Sequence, residues 1–126
     1  LGDYIKQTYG HDFVFVKDWP FTVRPFYHML HEDDPSLTKS FDLLGRGLEI
    51  TTGAQREHRY EKLAQQALDK GLTLEPIQNY LNFFRYGCPP HGGLGLGLSR
   101  LLMVMLNLPS IREAVFLFRG PNRLEP

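Results

Sequence analysis

FDLLGRGLEITTGAQR, residues 41–56, carries two apolar runs on either side of a short glycine-bearing centre, a pattern that predicts a β-hairpin over 41–52. With Gly45 and Arg46 as the two-residue turn, Leu44 faces Gly47 and Asp42 faces Glu49 across the ladder. Like charges in that position destabilise a sheet unless something neutralises them. Paired oxygen ligands on rigid strands suit Mg²⁺ held jointly with substrate phosphates; ordinary solvated surface charge is the competing reading. Arg56 ends the run after the small residues Thr52, Gly53 and Ala54, which let a ligand approach the backbone. A guanidinium fork matches a carboxylate through two parallel hydrogen bonds, so Arg56 is a candidate for gripping an acidic side chain. An ion pair with Glu57 or Glu61 is the alternative. Strict alternation puts Glu49 and Arg56 on opposite faces, so a shared site requires a bulge or a strand that ends near Gly53.

Downstream, GCPPHGGLGLGLSR, residues 87–100, opens with a proline and glycine loop over 88–93 and continues as a strand over 94–99. With period two, Leu94, Leu96 and Leu98 share one face, and Gly93, Gly95 and Gly97 share the other. Three alternating glycines offer nothing to pack, which suggests that something flat comes close to the backbone. A planar base fits, with Arg100 at the strand's end stacked on its ring; a strand crowded by a packed helix is the alternative. Neither GxGxxG nor GxxxxGK[ST] is present. His91, in PPHGG, either donates to a phosphate or holds the loop. The remaining histidines lack metal-ligand spacing, and neither Ser110 nor Cys88 has the context of a nucleophile.

Around these two stretches, apolar spacing and glycine stops predict helices over 2–9, 59–70, 74–86 and 101–106. Strands are expected over 13–16 and 23–30, on either side of a turn at Pro20, and over 114–119, with a loop over 31–35. The sum is an α+β plan, an antiparallel sheet flanked by helices. The 126 residues suffice for one compact domain, and 42% of them are apolar. Lys plus Arg (14) balance Asp plus Glu (14), which argues against broad binding to a phosphate backbone by this segment. A single cysteine, Cys88, excludes an intrachain disulfide and a multi-thiolate zinc site and fits a reducing, cytoplasmic setting. No apolar run reaches the roughly 20 residues that span a bilayer, so no membrane association is expected. The chain starts at Leu1, which fits processing or a fragment of something longer.

The order VRPFY, FDLLGRGLEITTGAQR, YGCPPHGGLGLGLSR, RLEP resembles the C-terminal half of the catalytic domain of class II aspartyl-tRNA synthetases, archaeal and eukaryotic type. The resemblance covers nearly the whole chain, so residues 1–126 are expected to be the C-terminal portion of such a domain. It implies ATP and Mg²⁺ as cofactors, with Asp42 and Glu49 binding the metal and Glu49 beside the α-phosphate. Thr52 falls where the family usually has a serine near the amino acid, and Arg56 where it recognises the aspartate side chain. Arg100 matches the motif 3 arginine that stacks on adenine and is the implied catalytic residue. His91, Gly93, Gly95 and Gly97 match the loop and strand that border the nucleotide. The implied partners are aspartate and tRNA, the latter mainly through regions upstream, and the implied assembly of the full-length protein is a homodimer. Three departures from the family pattern stand out: Ser99 for an acidic residue, Leu94 for a glycine, and Phe118 and Gly120 for proline and aspartate. Motif 1, motif 2 and the anticodon-binding domain would lie upstream of Leu1, so these residues alone are not expected to charge tRNA. An asparaginyl synthetase or amidating paralogue is the nearest alternative, although VRPFY and TGAQR look more like the aspartyl branch. A non-catalytic binding module is the alternative from another class.

Overall fold

The computed structural model describes residues 1–125. Four strands form one antiparallel sheet in the order β1-β2-β3-β4: β1 (Phe13–Lys17), β2 (Ser40–Gly45), β3 (Leu48–Arg56) and β4 (His91–Leu96). Four helices accompany it: α1 (Gly2–Tyr9), α2 (Tyr60–Asp69), α3 (Gln78–Arg85) and α4 (Leu98–Met105). The α+β plan expected from the sequence is the one observed. Two compact units divide the chain, the first holding Leu1–Phe15, Asp42–Thr51 and the part from Gly95 onward, the second Val16–Phe41 and Thr52–Leu94.

In the first unit the hairpin turn falls one residue later than the sequence reading placed it. Arg46 and Gly47 are the two turn residues, with φ of 48° and 82°. A hairpin turn with both central residues left-handed matches the twist of the strands it joins, and Gly47 adopts that conformation without penalty. Gly45 serves a different purpose: a Cβ there would strike Ile50 Cδ1 and lie 2.9 Å from the Phe13 ring. Arg46 tolerates its positive φ because its N–H donates to the Asp12 carbonyl at 2.7 Å and its Nη1 to Asn107 Oδ1 at 2.8 Å. The shifted turn pairs Gly45 with Leu48 and Leu44 with Glu49. Asp42 and Glu49 are therefore not directly opposed, and the expected like-charge clash does not arise.

The second unit is built on Leu63 of α2 and Leu81 of α3, both fully buried, with Phe84 beside them and Phe26, Tyr27, Tyr60 and Ile77 packed around. Helical spacing brings Leu63 and Ala67 to one face of α2, and Gly71, at φ 74°, follows its end. Truncating Leu63 to alanine leaves a cavity in a site with no exposed wall; an unfolding titration should show a loss of about 2–5 kcal/mol.

Two expected strands are absent. Between 23 and 30 the chain makes a 3₁₀ turn (Phe21–Val23) and then only isolated bridges, His28 to Arg56 and Leu30 to Thr38. Pro25 has no N–H to offer a ladder, and its carbonyl instead accepts from the His28 N–H at 3.2 Å. Over 114–119, a 3₁₀ turn (Ile111–Ala114), capped by Ser110 Oγ accepting from the Arg112 N–H, is followed by irregular chain. There the Phe118 ring, one of the departures from the family pattern, meets the guanidinium groups of Arg112 and Arg123, at 5.2 and 4.5 Å. Among the described residues no helix is long and apolar enough to cross a membrane.

Candidate active site

The register of β3 decides which face its polar side chains share. Counting along the ladder from the turn, Lys39 would face Ala54, yet the Gln55 N–H donates to the Lys39 carbonyl at 2.9 Å. β3 therefore carries one residue more than the partner chain over this span, a bulge, and side chains beyond it exchange faces. Gly53 shows the exchange: a Cβ there would lie 2.6 Å from Phe41 Cζ and 3.0 Å from Leu94 Cβ, so only glycine fits.

In the first unit, Asp42 is buried on β2 and Glu49 is half-exposed on β3. Leu44 faces Glu49 and shares its side of β2 with Asp42, so Glu49 lies one step along the same face. Arg100 reaches Glu49 twice, donating from Nη1 to its carbonyl at 2.9 Å and approaching its carboxylate at 3.4 Å. Here too the sequence reading shifts: β4 begins at His91 and ends at Leu96, and Ser99 and Arg100 lie in the first turn of α4 rather than on the strand. The Gly97 N–H donates to the Ile50 carbonyl at 2.8 Å, and a Cβ on Gly97 would sit 3.3 Å from that oxygen. At Gly95 nothing among the described residues lies within 4 Å of a notional Cβ, so this part of the glycine face is open. The leucines of β4 are well exposed, Leu94 at 62% and Leu96 at 53%, and take no part in a core within these residues.

The donor set bears on the implied metal. Among the described residues no three His, Cys, Asp or Glu side chains cluster in a way that could hold an ion. Two carboxylates on one sheet face do fit Mg²⁺, which binds through one or two carboxylates and fills its octahedron with phosphate oxygens and water.

The second unit holds the other set. Arg56 lies over the Tyr27 ring, its guanidinium carbon 4.7 Å from the ring centre, and its Nη1 is buried with no hydrogen-bond partner among the described residues. The alternative ion pair with Glu57 or Glu61 is not formed: Glu57 is bound instead by Arg59, Nε to Oε1 and Nη2 to Oε2, each at 2.8 Å. Gly93 borders Arg56, with a notional Cβ 3.7 Å from Nη2. Thr52 is held by Arg24, whose Nη1 donates to Oγ1 at 3.1 Å and whose guanidinium lies over Trp19. A cleft of about 550 Å³ opens beside Arg56, lined by Phe26, Tyr27, Tyr80, Phe84 and His91. Burial pushes the Tyr80 phenol up, and the nearby Arg56 charge only partly offsets this. His91 holds the loop: its Nδ1 meets the Pro89 carbonyl at 3.0 Å and its ring stacks on Phe84. Sequence reasoning missed Tyr27 and gave Arg24 no place in the site, because only the fold brings them to Arg56 and Thr52.

Comparisons with known proteins show the family and the fold. The family model for tRNA synthetases class II (D, K and N) matches residues 1–119. The chain is 53% identical over all of its 126 residues to the aspartate–tRNA(Asp/Asn) ligase of Aeropyrum pernix, of which it covers 28%. It superposes on the aspartyl-tRNA synthetase of Entamoeba histolytica with a TM-score of 0.94 and 42% identity, covering 99% of this chain and 26% of that one. With the asparaginyl-tRNA synthetase of Pyrococcus horikoshii complexed with asparaginyl-adenylate, the TM-score is 0.84 and the identity 37%, over 90% of this chain and 27% of that one. The chain thus spans little more than a quarter of the relatives it matches. Within that span, a family match over nearly all of the sequence and a shared fold at high identity place it without ambiguity: the chain belongs to the class II tRNA synthetases of the D, K and N group.

Proposed function

We propose that the protein carrying this chain activates aspartate with ATP and transfers it to tRNA. The observation that carries the reading is Arg56: a guanidinium whose Nη1 is buried and lacks a partner among the described residues, beside a cleft, wants a carboxylate. An asparagine amide would turn an N–H toward those donors, whereas a carboxylate accepts from both arms of the fork. The curated relatives at high identity are named aspartate–tRNA ligases, and the asparaginyl neighbours are lower in identity.

In the reaction, an α-carboxylate oxygen of aspartate attacks the α-phosphorus of ATP and pyrophosphate leaves; a terminal ribose hydroxyl of tRNA then takes the aspartyl group and AMP leaves. Arg56 grips the side-chain carboxylate and Thr52, steadied by Arg24, borders the amino acid. Arg100 offers its plane to adenine while Glu49 anchors one of its nitrogens. Gly93, Gly95 and Gly97 keep side chains out of the nucleotide's way, and His91 fixes the loop before them. Asp42 and Glu49 would hold Mg²⁺, which neutralises phosphate charge when bound. Rate acceleration then comes from positioning and charge stabilisation. A homodimer and a cytoplasmic location complete the proposal.

Aspartate-dependent ATP–pyrophosphate exchange by the complete polypeptide tests it. Exchange with aspartate should exceed exchange with asparagine by about 100-fold or more, since unpaired buried donors discriminate strongly. Equal exchange with both, or asparagine alone, would overturn the aspartate assignment, and no exchange with either would favour a binding module.

A further inference from the structure

We infer that Tyr27 is a positioning residue for Arg56 and so sets the affinity for the amino acid, an inference that rests on the reading of Arg56 as the carboxylate grip. A guanidinium laid on an aromatic face is held by the ring's negative quadrupole, while its N–H bonds stay at its rim for a ligand. Arg56 has this arrangement, with Tyr27 on one side at 4.7 Å and Nη1 buried without a partner among the described residues. Gly93, which has no side chain, keeps the Nη2 and Nε rim uncrowded, since a Cβ there would already stand at 3.7–3.8 Å from both.

The platform is itself fastened. The Tyr27 carbonyl accepts from the Glu57 N–H at 3.0 Å, one residue beyond Arg56. On either side of Tyr27, the carbonyls of Phe26 and His28 both accept from Nε2 of Gln66, a buried side chain on α2. The Phe26 and His28 rings meet Tyr27 edge-on at 5.5 and 5.3 Å. α2 thus holds the ring, and the ring holds the arginine. Without the aromatic face Arg56 keeps its charge but loses a fixed plane, so ground-state and transition-state grip on the carboxylate weaken together, which raises KM rather than lowering kcat.

The test is pyrophosphate exchange by the complete polypeptide, with KM measured separately for aspartate and ATP. Tyr27→Phe should stay within about twofold of the parent, because the face remains. Tyr27→Met, which fills a similar apolar volume with no aromatic face, should raise KM for aspartate about tenfold, with KM for ATP and kcat within about twofold. A ring-fluorinated phenylalanine at position 27 keeps the shape and weakens the negative face, so relative to Tyr27→Phe it should raise the aspartate KM about threefold. An unchanged aspartate KM in the fluorinated protein or in Tyr27→Met, or an equal rise for both substrates, overturns the inference while a large effect of Arg56→Ala leaves the function intact. An unchanged aspartate KM in Arg56→Ala overturns both.

Discussion

Replacing Arg56 by alanine is expected to lower kcat/KM for aspartate in pyrophosphate exchange by about 10²–10³-fold, with the KM for ATP little changed. The magnitude follows from removing one member of a desolvated charge pair, which costs about 2–5 kcal/mol because the carboxylate is left buried without its partner. The geometry makes the loss specific. Arg56 has no ion-pair partner of its own among the described residues, since the adjacent Glu57 is occupied by Arg59, so its removal does not break a structural bridge. The tyrosine beneath it loses a cation but keeps its neighbours. Thermal unfolding of the variant should therefore stay close to that of the parent while exchange collapses. Arg56→Lys should recover only part of the activity, because an ammonium supplies the charge without the fork or the stacking plane. Undiminished exchange in Arg56→Ala would remove the aspartate assignment.

Arg59→Ala should destabilise the fold by about 3 kcal/mol at neutral pH. Glu57 is essentially fully buried, with side-chain exposure of 1%, and it takes three hydrogen bonds from Arg59: from Nε, from Nη2 and from the backbone N–H. Breaking a buried pair by removing one partner costs about 3–5 kcal/mol, and the low end applies because the guanidinium is 33% exposed and partly screened. Burial alone pushes the Glu57 carboxyl up, but the hydrogen bonds and charge of Arg59 outweigh it and hold the group below its ordinary value of 4.5. A carboxylate depressed in the folded state contributes stability above its unfolded pKa and loses it as pH falls through the folded one. Denaturant titrations at falling pH should thus show the parent losing this contribution below pH 4.5, with the gap to Arg59→Ala narrowing. A gap that stays constant down to strongly acidic pH would mean that the pair does not carry the effect. Adding Glu57→Gln to Arg59→Ala should restore part of the loss, since an amide costs less to bury than a carboxylate.

Local pattern carried much of the fold. Helical spacing in α2 and α3, glycine stops and the hairpin are properties of short windows, and short windows fix whether apolar residues fall on one side of a helix or strand. Candidates for the site were also legible where residue type alone limits the choice: a fork-bearing arginine after small residues, two carboxylates near a turn, alternating glycines before an arginine. The errors came where a glycine or proline had two uses. Gly45 looked like a turn residue but is glycine because Ile50 and Phe13 press on it, and Pro25 stands where a strand seemed to run. Arg100 looked like a strand terminus, although α4 has already begun at Leu98.

By itself the sequence determined that this is an α+β chain of the class II tRNA synthetase family, with its alternating glycines, its carboxylates and its arginines in order along the chain. Tertiary structure alone decided the turn at Arg46–Gly47, the bulge that resets β3, and the partners of four arginines: Glu49 for Arg100, Thr52 for Arg24, Tyr27 for Arg56 and Glu57 for Arg59. The physical reason is that register and pairing depend on contacts between residues far apart in the chain, such as the 28 positions separating Arg24 from Thr52. A one-residue shift in a strand exchanges its two faces, and no short window records which shift the packing has chosen.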